Sequence, residues 1–269
     1  MSKPVPDTLS KLNAHERDKH ITFDEGPHIY TVHNQLGYTS VTTWNHKHFS
    51  GFDAEAVVDN IMKGRKIHDP GYKYYGMTRE QILKQWRENG ESASSKGTQL
   101  HYDIECYYND WPVQNDSIEY QYFLNFAKDF SNLQAYRTEW MVYYEELKMS
   151  GSIDMLFKNE RGEYLIYDWK RCIEIPHEPQ FGKHATTQCI SHLPDSKFWH
   201  YSLQLNMYRR FLQDKYDIDV VGMFLVCLHP DNPYENYERI EVQIMEKEME
   251  ELIQLRLKEA RQIELTDAL

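Results

Sequence analysis

The stretch GSIDMLFKNERGEYLIYDWK, residues 151–170, places aspartates where a half-buried strand ordinarily spends hydrophobic residues. Two strand-forming runs flank Glu160-Arg161-Gly162, which suits a three-residue hairpin loop with glycine at the left-handed position. Asn159 then faces Glu163, and counting back along both strands sets Asp154 opposite Asp168. Directly paired side chains share a face with β-carbons roughly 4.5–5.5 Å apart, so the two like charges repel unless something positive lies between them. A shared divalent cation meets that need, and hard oxygen ligands on a rigid hairpin suit Mg²⁺ or Mn²⁺. Lys170, two residues beyond Asp168, projects from the same face, where an amine can orient or help deprotonate a water. A two-residue loop would put the aspartates on opposite faces. The plain alternative is an exposed strand face with scattered charges, but Ile153, Leu156, Leu165 and Ile166 argue for an interior hairpin.

Two other segments carry matching chemistry. In KGTQLHYDIE, residues 96–105, His101 and Glu105 stand one helical turn apart on one face and can offer a nitrogen and an oxygen to the same metal. In FWHYSLQLNMYRRF, Gln204 and Tyr208 share a helix face that His200 extends one turn earlier, a row suited to meeting a substrate backbone or bracing the site. Each also has an ordinary reading, the first as a surface pair and the second as the polar side of an amphipathic helix.

Taken in order, GTxxH with Glu four residues on, then D, DxK and QxxxY around a strand hairpin resembles the PD-(D/E)XK nuclease superfamily, and within it the RecB-type exonuclease branch. That branch includes phage, viral and mitochondrial genome maintenance exonucleases. The motifs cover residues 97–208, and the helix–strand order extends the likeness to about residue 243. The resemblance implies a restriction-endonuclease-like core. It implies His101, Asp154 and Asp168 as metal ligands, Lys170 as the catalytic lysine, and Glu105 as the acidic residue of the leading helix. Gln204 and Tyr208, with His200 beside them, would contact DNA and support the site. The cofactor implied is Mg²⁺ or Mn²⁺; no iron–sulfur cluster is expected, because no cysteine follows Cys227. The activity implied is metal-dependent hydrolysis of DNA, most simply by an exonuclease acting on single strands or ends in replication, recombination or repair, with proteins of those processes as partners. A structure-specific endonuclease, a non-catalytic DNA-binding module and a metal hydrolase with another substrate are the competing classes.

Composition sets bounds on these readings. Acidic residues outnumber basic ones 42 to 30, giving a formal net charge of −12, which argues against a sequence-blind DNA coat, counts against a DNA-binding protein in general, and leaves room for an enzyme with a local basic groove and bound divalent cations. Lys96, Lys183, Arg209 and Arg210 are candidate phosphate contacts, and Trp44, Trp169, Trp199 and Tyr201 candidate stacking rings, with core packing as each ring's ordinary fate. Cys106, Cys172, Cys189 and Cys227 form no CxxC pair, so a zinc ribbon is not expected. No apolar run reaches the roughly 18 residues that span a bilayer, and the N-terminus lacks a secretory h-region; a soluble intracellular protein is expected.

The elements that must hold these residues read as a mixed α/β chain. Residues 1–20 are expected to be a mobile arm, 21–91 a hairpin and helical appendage, and 92–269 the nuclease-like core with a closing helix. In the appendage, HIYTV and YTSVTTW read as strands, a helix starts near Phe52, and another runs from the capping box at Thr78 to a stop at Gly90. The core begins with a separate helix from about Ser92 and one over IEYQYFLNFAKDF. The strands TEWMVYYEE, GSIDMLF and EYLIYDWKR follow, then the QxxxY helix, the strands DVVGMFLVCLHP and YERIEVQIM, and an amphipathic last helix.

Overall fold

The computed structural model describes residues 4–179 and 182–267. Two compact units emerge: Gly51–Leu100, and Met1–Ser50 together with His101–Leu269. The domain limits expected from sequence are therefore redrawn, since the N-terminal hairpin belongs with the larger unit.

In the smaller unit, α3 (Ala54–Lys63) begins where the Asp53 side chain accepts from Ala56 N. α4 (Arg79–Tyr108) opens at the expected capping box: Thr78 N donates to Gln81 Oε1 at 2.7 Å and Gln81 N to Thr78 Oγ1 at 3.3 Å. Val58, Ile67, Tyr74 and Ile82 form its small core. Gly90 does not stop the helix. The two helices expected from sequence are one 30-residue helix, because neither Gly90 nor Gly97 takes the left-handed backbone that closes a helix.

The larger unit is built on a six-stranded mixed sheet. β4 (Gln134–Tyr144) and β5 (Met149–Lys158) pair antiparallel, as do β5 and β6 (Tyr164–Lys170). β7 (Val220–Cys227) runs parallel to β6 after the crossover helix α6 (Lys197–Tyr216), and β8 (Glu238–Val242) closes antiparallel to β7. α5 (Ile118–Asp129) covers one face, where Phe123 meets Trp169 at 5.7 Å and Phe126 meets Tyr167 at 5.5 Å. Strand alternation sends Asp168 and Lys170 to the other face, and the Lys170 ammonium lies over the Tyr201 ring of α6. Among the described residues, no helix is long and apolar enough to cross a membrane.

Two expectations at the N-terminus are corrected. Residues 1–3 of the expected arm lie outside the described residues, and over 4–20 the arm is not free. α1 (Thr8–Leu12) is tied to Asn109, and Asp18 accepts from Arg137 at 2.7 Å and from the Trp140 indole at 2.8 Å. YTSVTTW is not a strand partner of HIYTV. β2 (Ile29–Val32) pairs instead with β1 (Ile21–Asp24), and YTSVTTW gives the two-residue β3 (Thr39–Ser40) followed by α2 (Val41–His46). Ser40 is the reason, since its hydroxyl caps the helix by accepting from Thr43 N. β3 lies parallel to the start of β5, on the edge that β6 occupies further along.

Two contacts fix the hairpin from behind. Arg256 of the last helix α7 (Glu246–Asp267) is buried and donates to the carbonyls of Leu147 and Lys148 and to Thr39 Oγ1. Tyr208 of α6 lies against Gly151, where an added β-carbon would stand 2.6 Å from the Tyr208 hydroxyl. Gly151→Ala should therefore overpack the interface and cost about 1–3 kcal/mol in urea unfolding. Gly151→Ala combined with Tyr208→Leu should cost less than the sum of the single changes, because the two residues share one space.

Candidate functional site

The hairpin turns as its residues dictate. Gly162 sits at φ +78°, Gly162 N donates to Asn159 O, and Asn159 N donates to Glu163 O at 2.9 Å. The ladder runs from Lys158↔Tyr164 to Met155↔Tyr167 and stops there. One step further would pair Asp154 with Asp168, which is where the strands part. Asp154 Oδ2 instead accepts from Trp169 N at 3.0 Å, a side chain standing in for the lost backbone partner.

Asp154 also has a neighbour on its other side. Between the pairs Thr138↔Met155 and Trp140↔Ile153 stands Glu139, level with Asp154 and at φ +42°. That left-handed backbone is costly for a residue with a β-carbon, and such strain gathers at functional positions. Ser152 Oγ donates to Glu139 Oε2 at 3.0 Å, which leaves Oε1 facing His101 Nδ1 at 3.4 Å. Three carboxylates on adjacent strands thus share one level of the sheet.

His101 completes the group from α4. Its Nε2 lies 2.9 Å from the Trp169 carbonyl oxygen, an acceptor, so Nε2 carries a proton. Nδ1 faces Glu139 Oε1 and, at 3.6 Å, Asp154 Oδ2. His101, Glu139 and Asp154 each offer a ligand atom, all within 4.8 Å of one another. A backbone carbonyl that fixes the far nitrogen of a histidine is the usual outer support of a metal ligand, so this donor set fits a divalent cation. It differs from the set expected from sequence. Glu139 takes part, whereas Asp168, 2 % exposed, forms an ion pair with Lys170.

Charge crowding sets the protonation states. Burial and repulsion from Asp168 raise the Asp154 carboxyl above the usual range. Burial and then Glu139 raise Glu105 to about 8. Burial works against a charged His101, yet Asp154 and Glu139 outweigh it and raise the imidazole to about 9. Burial likewise opposes charge on Lys170, and Asp168 with Asp154 overcomes it, so the amine stays protonated.

The QxxxY helix plays a narrower part than expected. Tyr208 is 4 % exposed, beneath Gly151 and close to Asp154 and Asp168, so it braces the hairpin and presents no surface to DNA. Gln204 is half-buried one turn earlier on the same stripe. The His200 ring is held by Asp195 at 2.9 Å and lies tilted against Phe49 with ring centroids 3.9 Å apart. Arg209 is buried, donating to the Val220 carbonyl and to Glu246, which removes it as a phosphate contact. Arg210 is paired with Asp214, and Trp44 and Trp169 are core residues. Lys96 and Lys183 are exposed, while Trp199 and Tyr201 are partly so.

No protein-family model matches this chain, and no curated protein matches it either.

Glu105 and His101 both hold their protons more tightly folded than unfolded, so the folded chain binds more protons and loses stability as pH rises. The windows are 4.5 to about 8 for Glu105 and 6.5 to about 9 for His101. The contribution of these two groups to the thermal midpoint of metal-free protein should fall from about pH 4.5 to about pH 9, most steeply between about 6.5 and 8 where the windows overlap, and the increment given by Mn²⁺ should grow as His101 loses its proton. Mn²⁺ titration by calorimetry should show weaker binding for Glu139→Gln. The loss should be at least about 10–100-fold, the range for losing an outer partner of a ligand.

Proposed function

We propose that this protein is a metal-dependent deoxyribonuclease of the PD-(D/E)XK type, acting as an exonuclease on single-stranded or end-containing DNA. The observation that carries the reading is the convergence of Asp154, Asp168, Lys170 and His101 where β5 and β6 separate. On this reading the helix, the antiparallel strands, the crossover helix and the parallel strand form a restriction-endonuclease-like core. The order of His101, Asp154, Asp168-x-Lys170 and Gln204-x-x-x-Tyr208 supports the RecB-type branch.

His101, Glu139 and Asp154 would hold the cation, Mg²⁺ or Mn²⁺, with Asp168 beside them. When bound, such a cation lowers the pKa of a water and offsets charge building on the phosphate. Lys170, kept protonated and seated between Asp168 and the Tyr201 ring, would donate to an attacking water or to a phosphate oxygen and would not act as a base. Glu105, one helical turn beyond His101 on α4, has its carboxyl raised by burial and then by Glu139 in the metal-free chain, so a cation held by Glu139 would lower it again. Ser152 holds the Glu139 carboxylate, and Tyr208 packs beneath Gly151 on the strand that carries Asp154. Trp199, Tyr201 and Lys183, all in the larger unit, are candidates for contact with bases and phosphates.

End-labelled single-stranded, double-stranded and circular DNA with Mg²⁺ tests the reading. Linear DNA should be degraded and circular DNA spared, EDTA should stop the reaction, and Lys170→Ala should lower kcat on the order of 10²–10³-fold. Asp168→Asn, matched to the parent by circular dichroism, should be inactive. Equal cleavage by all three proteins would remove the mechanism, and cleavage of circular DNA would make the enzyme an endonuclease.

A further inference from the structure

Two thiols meet at the Lys170 end of the site. Cys172 lies two residues beyond Lys170, and Cys227 pairs with Lys170 across the parallel β6–β7 ladder. Their sulfurs stand 3.2 Å apart, and the Cys227 thiol also lies 3.2 Å from the Cys172 carbonyl oxygen. The strand pairing continues past this point, since Leu228 N donates to the Lys170 carbonyl at 2.8 Å. Cys172 is partly exposed and Cys227 buried, so one sulfur is open to a small oxidant while the other waits behind it. The Tyr201 ring links this pair to the site. It carries the Lys170 ammonium at 4.5 Å, and its hydroxyl is within electrostatic reach of both sulfurs.

We propose that Cys172 and Cys227 form a reversible disulfide that switches the Lys170 end of the site. The modification stands on the thiol geometry alone; its effect on catalysis rests on the nuclease reading above. The oxidant is a peroxide. Cys172 as thiolate attacks one peroxide oxygen, the O–O bond breaks, and the products are Cys172 sulfenic acid and, after protonation, water. The Cys227 sulfur then attacks the Cys172 sulfur, the S–O bond breaks, and the hydroxyl leaves with the Cys227 proton as a second water. Two thiols lose one electron each and the peroxide gains both. The division of labour follows the surroundings. A hydrogen bond from Cys227, then the charges of Lys197 and Lys170, favour the Cys172 thiolate, whereas that bond and burial keep the Cys227 proton in place. Bond formation at about 2.05 Å draws Cys172 roughly 1 Å toward β7, and Lys170 lies two residues upstream of the shift.

The full chain is treated with hydrogen peroxide, alkylated with N-ethylmaleimide, and digested without reduction for mass spectrometry. The expected product is a Cys172–Cys227 linked peptide pair lighter by two hydrogens, absent from Cys172→Ser and reversed by dithiothreitol. Alkylation of both residues after peroxide, or Cys172 driven to the sulfonic acid beside an alkylated Cys227, would overturn the proposal. Cleavage of linear DNA by the oxidised protein should fall on the order of 10–100-fold and recover with dithiothreitol, as a displacement near 1 Å predicts. Cys227→Ser treated in the same way should keep its own untreated rate. A linked pair with unchanged cleavage would overturn the switch. A linked pair in a protein that never cleaved DNA would overturn the nuclease reading and leave the disulfide standing.

Discussion

Three carboxylates at one level of a sheet are an electrostatic liability, and the larger unit is arranged around it. Glu139, Asp154 and Asp168 repel across adjacent strands, and the chain answers each with a different device. Asp168 is met by Lys170, Asp154 by the Trp169 amide and the His101 ring, and Glu139 by Ser152 and an unfavourable backbone angle. None of these removes the excess of negative charge. Raised proton affinities at Asp154, Glu105 and His101 are what remains of it, and they are the same quantity a divalent cation would draw upon.

The parting of β5 and β6 turns this liability into a place where chemistry can occur. Had the ladder continued, Asp154 and Asp168 would face each other as a sealed pair, and the Trp169 amide would have no need of a side-chain acceptor. Because it stops at Met155↔Tyr167, backbone groups of Trp169 turn toward His101 and Asp154 and serve both. One peptide segment thereby orients an imidazole through its carbonyl and a carboxylate through its amide. Tyr208 under Gly151 holds the hairpin at the depth this requires.

Much of this was readable in the sequence because local rules set it. Gly162 fixes the loop, the loop fixes the register, and the register places Asp154 level with Asp168; the alternation of Tyr167 and Trp169 with Asp168 and Lys170 assigns the faces. Glu139 escaped because a lone glutamate in TEWMVYY looks like a solvent-facing strand position. The signal was present: Tyr144 pairs with Met149, and the same count down that hairpin reaches Glu139 and Asp154. The continuity of α4 through Gly90 and Gly97 was hidden, since each glycine is locally a plausible stop. The burial of Tyr208 and Arg209 was hidden as well. A helix with apolar residues on most of its circumference gives no sequence clue to which polar residues lie inside. Nor does a short N-terminal segment announce that Asp18 will find Arg137 and Trp140 more than a hundred residues away.

The buried guanidinium of Arg256 imposes an order of events on synthesis. Thr39 waits 217 residues for its partner, and the Trp44 indole waits 215 for the Glu259 carboxylate. On a ribosome adding roughly 5–20 residues per second, the β4–β5 turn emerges well before the helix that braces it. The carbonyls of Leu147 and Lys148 must stay solvated until Arg256, more than a hundred residues later, has left the exit tunnel. A nascent chain thus has an unbraced β4–β5 turn until Arg256 has emerged.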